Sequence, residues 1–306
     1  MLLQNAARQS ERARQAHALE PFATTERYVV DGGVRFVVRK AESLARKPPD
    51  SRSPDSRSPD NSAGKSNPFI DYDRNLFVAA ISATHICLLN KFPVMASHLL
   101  IVTRTVESQE SLLNLRDFEA LFACLSGVDG LGFYNGGRVA GASQPHKHLQ
   151  LVPLPLAREG PALPMEAVIA AARQGRLVDA VPGMPFHHAF EWLDPNLMDR
   201  RPPVSVPAAA AAAHGLYCGM LDALFPAAAD AGWKREQRQP GPYNLLVTRR
   251  WMLLVPRSGE QFASIPVNAL GYAGSFFIWS DEQAEALLSH GPMTVLAAVA
   301  LPRVQP

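Results

Sequence analysis

Cysteine is scarce in this chain: Cys87, Cys124 and Cys218 are three thiols in 306 residues, odd in number, far apart and set in apolar runs such as HICLLN and LFACLSG. That spacing excludes a disulfide framework, offers no C-x-x-C pair for zinc, and predicts buried reduced thiols. Long hydrophobic runs are absent too. No segment approaches an uncharged membrane span, and residues 1–20 hold no apolar core of secretory length, so a cytoplasmic location is expected. Excess charge of either sign is also missing: 30 Lys+Arg against 28 Asp+Glu leave a net +2. Nothing in that balance supports a nucleic-acid surface, a membrane surface or an acidic tail, and no segment marks a protein partner. An anionic ligand must therefore be met by a local site.

What the chain does have is apolar residues, 47% of the total, enough for a large core in one long or two unequal domains. Residues 1–20, rich in Ala, Arg and Gln, read as an N-terminal helical extension that docks on the body or frays. RYVV and VRFVV flank Asp31-Gly32-Gly33, a hairpin signal. A low-complexity insertion at 48–67 carries Ser-Arg-Ser-Pro-Asp at 51–55 and again at 56–60, too polar to order itself by burial. Short aliphatic runs at 76–81, 85–90 and 98–103 predict antiparallel strands. Leu115, Phe118, Leu121, Phe122 and Leu125 share a helical face behind Asn114 as N-cap, and strands follow at 132–135 and 148–152.

Residues 21–158 thus read as a core and 159–306 as a C-terminal portion that completes the sheet. The latter carries a helix near 164–174, a proline-rich linker at 202–207, a helix from Pro207 to about Phe225, a hairpin at YNLLVT and WMLLVP, and a capping box at Ser280–Gln283 heading the final helix. The fold class is α+β, a mixed or antiparallel sheet flanked by helices, with helices expected on one side.

The chemistry concentrates in His146-Lys147-His148-Leu149-Gln150. On a strand, side chains at i, i+2 and i+4 share a face, so two imidazoles and an amide point the same way. Asn135 and the Gly-rich run through Pro145 precede them, and its backbone N–H groups suit a phosphate. Two histidines at i, i+2 can chelate a metal, but a third ligand is missing and Gln150 is a poor substitute. Phosphorus chemistry reads better: imidazole is largely unprotonated at neutral pH and has a lone pair to attack a nucleotide phosphate. Gly64-Lys65-Ser66 is not a P-loop, because Pro59 stands where the motif needs glycine and no strand leads into it.

LLNKFPVMASHLLIVT (88–103), NGGRVAGASQPHKHLQLVPLP (135–155), PYNLLVTRRWMLLVPR (242–257) and NALGYAGSFFI (268–278), in that order, resemble the histidine-triad superfamily, and within it the diadenosine tetraphosphate phosphorylase, or ATP adenylyltransferase, branch. The resemblance implies a histidine-triad fold in which His148 attacks an α-phosphorus of diadenosine tetraphosphate, forms an AMP-histidine intermediate and expels ATP. Inorganic phosphate then takes the adenylyl group to give ADP. His146 is the partner imidazole. Gln150 stands where hydrolytic branches carry a third histidine, and an amide positions a phosphate oxygen without shuttling protons. The same resemblance implies that Asn90 and Lys91 touch the nucleotide, that Asn135, Gly141, Ala142, Ser143 and Gln144 line the phosphate site, and that Lys47 reaches the polyphosphate. Asn244, with Arg257 as a weaker candidate, is expected to touch substrate from the C-terminal portion, whose elements close the adenosine pocket. His98 sits where the superfamily has a histidine, either supporting the site or simply satisfied in the core. No tightly bound cofactor or protein metal site is expected, and Mg²⁺ would arrive with the polyphosphate. Two alternatives stay open: a hexose-1-phosphate uridylyltransferase, against which Lys147 in place of proline and the scattered cysteines weigh, and a catalytically silent dinucleotide-binding protein.

Overall fold

The apolar runs between 76 and 153 are short, β-branched and cut by turn residues, which suits strands better than helices. In the computed structural model, which describes residues 2–42, 67–198, 205–231 and 237–303, they form five adjacent strands of an eight-stranded sheet, from one edge to its centre. The chain runs through α1 (Leu2–Gln15), β1 (Thr24–Asp31), β2 (Val34–Ala41), β3 (Phe77–Ala80), β4 (His85–Leu89), β5 (Leu99–Thr103), α2 (Leu115–Gly127), β6 (Gly130–Gly136) and β7 (His148–Pro153). It continues through α3 (Glu166–Ile169), β8 (Ala189–Trp192), α4 (Val206–Leu224), α5 (Pro226–Ala231), β9 (Tyr243–Val247) and β10 (Trp251–Pro256). The last elements are β11 (Gln261–Phe262), β12 (Ile265–Pro266), α6 (Ala269–Tyr272), β13 (Ser275–Ile278), α7 (Asp281–His290) and α8 (Pro292–Val299). Lys47, the Ser-Arg-Ser-Pro-Asp repeat and Gly64-Lys65-Ser66 lie outside the described residues.

The large sheet has the order β3-β4-β5-β7-β6-β9-β10-β8, and each of its pairings is antiparallel. Its centre is the β7-β6-β9 junction, where the N-terminal and C-terminal portions share one hydrogen-bonded ladder. Helices α1, α2 and α4 cover one face: Phe118, Leu121, Phe122 and Leu125 of α2 are fully buried against Leu149 and Leu151 of β7 and Tyr217 and Leu221 of α4. Each such side chain contributes about 1.5–3 kcal/mol by leaving water.

Helices on one side only were expected; instead the second face is covered as well. There β1 and β2, with β13 added parallel to β2, form a small second sheet. Phe36, Val38, Phe276 and Ile278 from it, with α6 and α8, bury Phe133, Val152, Leu246 and Leu253 of the large sheet. Both faces are apolar, so both must be covered. The hairpin signal at Asp31-Gly32-Gly33 is realised as a two-residue turn, with φ of 55° at Gly32 and 78° at Gly33.

Two helix expectations need correction. The helix near 164–174 shrinks to Glu166–Ile169, because the Arg173 N–H turns to the carbonyl of Ala180 and the chain folds back on itself. The helix headed by Ser280 is not the last, since it ends at Gly291 (φ 80°) and α8 follows. Ser280 does accept from Gln283 N–H, but the Gln283 amide bonds Trp279 N–H, one residue before the cap.

Asn114 caps α2 as its position suggested. Its side chain accepts from Arg116 and Asp117 N–H, and the Asp117 carboxylate takes the Asn114 N–H in return. Asn114→Ala removes half of this capping box and is expected to lower stability by about 1 kcal/mol, read as a fall in thermal midpoint.

Candidate active site

Alternation along β7 sorts the motif onto two faces. Leu149 and Leu151 join the helix-covered core with α2, while His148 and Gln150 face the other way, so Lys147 must also go toward α2. Lys147 is fully buried there. Its Nζ lies 2.7 Å from Asp117 Oδ2 and 3.1 Å from Glu107 Oε2, and it donates to the Leu112 carbonyl at 2.8 Å. Asp117 is fully buried too and bonds His85 Nε2 at 3.0 Å. Burial pushes the Asp117 carboxyl upward, but the His85 bond and the Lys147 charge outweigh it and hold it below the ordinary carboxylate value.

On the other face the two histidines have opposite tautomers. His148 Nδ1 lies 2.8 Å from the His146 carbonyl, which can only accept, so Nδ1 carries the proton and the lone pair is on Nε2. His146 Nε2 lies 2.9 Å from the Thr103 carbonyl, so there the proton is on Nε2, and Nδ1 faces the Asn67 amide at 3.0 Å. His146 thus has both nitrogens engaged, whereas no described residue bonds His148 Nε2. The Phe69 ring packs against both imidazoles, with centroids 4.9 Å from His148 and 5.7 Å from His146. Burial pushes the His148 imidazole down to about 4, against the opposing pull of its bond to the His146 carbonyl, so it is neutral at neutral pH.

Gln150 is held by a residue that the sequence left undecided. His98 Nε2 lies 2.8 Å from Gln150 Oε1, and His98 Nδ1 lies 3.3 Å from Asn90 Nδ2. Asn90 in turn accepts from Phe92 N–H through its Oδ1. The relay Asn90–His98–Gln150 uses the amide oxygen of Gln150 and leaves its NH₂ as the outward donor. Burial lowers the His98 imidazole to about 4 as well, so it acts as a neutral hydrogen-bonding link. The relay borders a cavity of about 220 Å³, walled by Ser10 of α1, Phe22, Leu89, Asn90, Met95 and His98. Its described lining comes from α1 and from residues 19–22 and 89–98.

Asn135, Asn244 and Arg257 form a second, interior cluster. Asn244 Nδ2 donates to Asn135 Oδ1 and to the Ala140 carbonyl, both at 2.8 Å. Arg257 donates to Asn244 Oδ1 at 2.6 Å and to the carbonyls of Val267, Gly259 and Val299. Ala269 N–H at the start of α6 also bonds Asn135 Oδ1. Direct substrate contact by Asn244 and Arg257 was expected; in the structure both are buried and their polar atoms are spent inside the fold. What they hold is the loop 136–145, by its Ala140 carbonyl. Gly141 is required in that loop: its φ is 89°, and a Cβ there would sit 2.8 Å from the Val267 carbonyl oxygen. Ala142 N–H bonds the Gly137 carbonyl, Ser143 is exposed, and Gln144 is half-buried just ahead of His146. Lys91 turns instead toward Glu20, 3.4 Å away, and joins neither cluster.

A neutral imidazole with a free lone pair, a donor amide beside it and a glycine loop ahead of it are the parts of a nucleotidyltransferase. Residues 1–171 match the family model of the Ap4A phosphorylase N-terminal domain, and residues 182–302 that of the ATP adenylyltransferase C-terminal domain, where Ap4A is diadenosine tetraphosphate. The chain belongs to the Ap4A phosphorylase family. It is 27% identical over 285 residues to diadenosine 5',5'''-P1,P4-tetraphosphate phosphorylase 2 of Saccharomyces cerevisiae, covering 83% of this chain and 79% of that protein. It is 26% identical to the protein APA1 of the same yeast, covering 67% and 65%. In fold it is similar to the crystal structure of yeast Ap4A phosphorylase Apa2, with a TM-score of 0.75 at 21% identity over 99% of this chain and 98% of that one, and to Apa2 in complex with Ap4A, with a TM-score of 0.74 at 22% identity over the same shares.

Two outcomes follow from the burial of these groups. His98, His148 and His188 are each lowered from 6.5 to about 4, so between those values the unfolded chain binds protons that the folded chain does not. Stability from these groups is full above 6.5 and falls as pH drops toward 4, which denaturant titration across that range measures. Separately, Asp117→Asn leaves Lys147 buried without its closest partner and is expected to cost about 3–5 kcal/mol, while the double change with Lys147→Met costs less than the sum of the singles.

Proposed function

We propose that this protein splits diadenosine tetraphosphate by phosphorolysis to ATP and ADP, through an adenylyl group carried on His148. The observation that carries the reading is the fixed tautomer of His148, with Nδ1–H bonded to the His146 carbonyl and the Nε2 lone pair unengaged among the described residues. In the first step Nε2 attacks the α-phosphorus, an N–P bond forms, the P–O bond to the leaving ATP breaks, and that oxygen keeps the electron pair. The Nδ1–H to carbonyl bond strengthens as positive charge develops on the ring, which favours attack without a proton transfer. In the second step an oxygen of inorganic phosphate attacks the same phosphorus, the P–N bond breaks, its electrons return to Nε2, and ADP departs.

Gln150 fits this acceptor. Its oxygen is bonded to His98, so the amide offers N–H to a phosphate oxygen and no base to a water molecule. Inorganic phosphate is already anionic and needs no base. The cavity beside Asn90 and His98, where Phe22, Leu89 and Met95 stand with polar groups of Ser10, Arg14 and Asn90, is proposed to take a nucleoside. The loop 136–145, and Lys47 from the segment before the repeat, are proposed to meet the polyphosphate. Mg²⁺ belongs to this reading as part of the substrate, its charge offsetting that of the phosphates; among the described residues no cluster of His, Cys, Asp or Glu is arranged to hold it. A cytoplasmic site of action completes the proposal, and no described helix is long and apolar enough to cross a membrane.

The test is product analysis with diadenosine tetraphosphate, with and without inorganic phosphate. Phosphate-dependent ATP plus ADP is expected, and an acid-labile AMP-protein adduct should build up when phosphate is withheld. His148→Asn should abolish the adduct and cut turnover by at least about 10³-fold. ATP plus AMP released in plain water, or turnover of UDP-glucose with galactose-1-phosphate instead, would sink the reading.

A further inference from the structure

The ladder between β6 and β7 is interrupted at the nucleophile. It pairs Gly130 with Pro153 and continues through Phe133 with Gln150, so two further steps would set Asn135 opposite His148. That pairing does not form. The side-chain amide of Gln109, 2% exposed, stands between the two strands instead. Its Oε1 accepts the His148 N–H at 2.8 Å, and its Nε2 donates to the Asn135 carbonyl at 2.9 Å and the His148 carbonyl at 3.2 Å. The amide thus imitates a peptide unit inserted between strands, satisfying both main-chain groups of His148 while holding β6 and β7 apart.

Gln109 is itself pinned through both of its main-chain groups, and its segment is tied two residues earlier to Lys147, which precedes β7. Its N–H bonds the Pro145 carbonyl at 2.7 Å, its carbonyl accepts the Tyr134 hydroxyl at 2.6 Å, and the neighbouring Glu107 carbonyl takes the Lys147 N–H at 2.8 Å. Through Asn135 it also reaches the interior cluster, since the Asn135 side chain is held by Asn244, which holds the loop carbonyl of Ala140. One side chain therefore fixes both the strand carrying the nucleophile and the strand leading into the glycine loop.

We infer that Gln109 is a positioning residue for nucleotidyl transfer: its amide sets where His148 stands relative to the loop 136–145, and so the distance over which Nε2 meets phosphorus. This inference rests on the His148 reading above. Gln109 touches no reacting atom; it acts through the main chain of His148 and Asn135. A Gln109→Glu change keeps the shape but removes the donor and turns a carboxylate toward two carbonyl oxygens. Gln109→Met keeps the length without polar atoms, and Gln109→Asn keeps the amide but shortens its reach by one methylene.

The experiment is single-turnover adenylylation by the full chain with diadenosine tetraphosphate and no phosphate, beside substrate affinity by equilibrium titration and thermal unfolding. Because a misplacement of about 1 Å costs roughly 10²-fold in rate, the Glu and Met variants should slow adduct formation by about that factor while affinity holds within about threefold. Gln109→Asn, the smallest change, should fall in between and carries the test if the other two fail to fold. Folded variants that adenylylate at the wild-type rate, or that lose rate only in step with affinity, overturn the inference and leave the His148 reading intact. If the wild-type protein forms no adduct at all, the His148 reading falls and this inference with it.

Discussion

Lys147 has to be buried, and the rest of the site hangs on that constraint. In a central strand flanked on both sides, every second residue faces the helix layer, and a lysine between two site histidines has nowhere else to point. An ammonium in an apolar interior is tolerable only with close, well-aimed partners. Asp117 supplies the nearest, at 2.7 Å, with Glu107 and the Leu112 carbonyl beside it. Asp117 is at the same time the third residue of α2 and half of its capping box. The start of α2, the segment 107–112 and the back of β7 are thereby locked into one charged knot. A strand anchored from behind in this way can present His148 and Gln150 on its front without fraying at its first residues.

The front face is organised by hydrogen bonds of fixed direction. The carbonyl of His146 dictates the tautomer of His148, and the carbonyl of Thr103 dictates the opposite tautomer for His146. Two chemically identical side chains, two residues apart, are thus made unequal by the acceptors they meet. The same logic reaches the C-terminal half through Asn135, Asn244 and Arg257, a buried network that uses polar atoms to set a loop. The two matched family segments meet in that network, and β6 pairing with β9 continues one sheet across them.

Much of this was legible in the sequence where the signal is local. Period-two alternation placed His148 and Gln150 on one face, Asn114 announced α2, and Asp31-Gly32-Gly33 announced its hairpin. Less was legible where the partner is distant. His98 lies 52 residues from Gln150 and meets it only because β5 and β7 are neighbours, a register that no short motif encodes. Gln109 sits in TVESQES, a polar stretch with no periodicity, and its importance comes wholly from standing between two strands. Asn244 and Arg257 stood out by family resemblance, but resemblance carries the identity of a residue and not its burial, so their place in an interior hydrogen-bond network was not legible. The shortened helix at Glu166 fails for a similar reason: alanine-rich sequence favours a helix, and the turn back to Ala180 overrides that preference.

The anchoring of Gln150 also bears on which acceptor the site suits. A free glutamine amide rotates and presents either its oxygen or its nitrogen, so alone it would say little about chemistry. Here His98 takes the oxygen, and His98 is itself committed because Asn90 meets its other nitrogen. His98 is lowered to about 4, so it keeps that neutral form through the physiological range. The amide therefore offers N–H groups alone, and a water molecule meeting them would find no base to take its proton. Under the proposed phosphorolysis, an incoming phosphate dianion would need only donors to steer it, and a donor is what the relay Asn90–His98–Gln150 offers. The absence of a third histidine at position 150 is thus built into the hydrogen-bond network behind it, and restoring a base there would require reversing the direction of the whole relay.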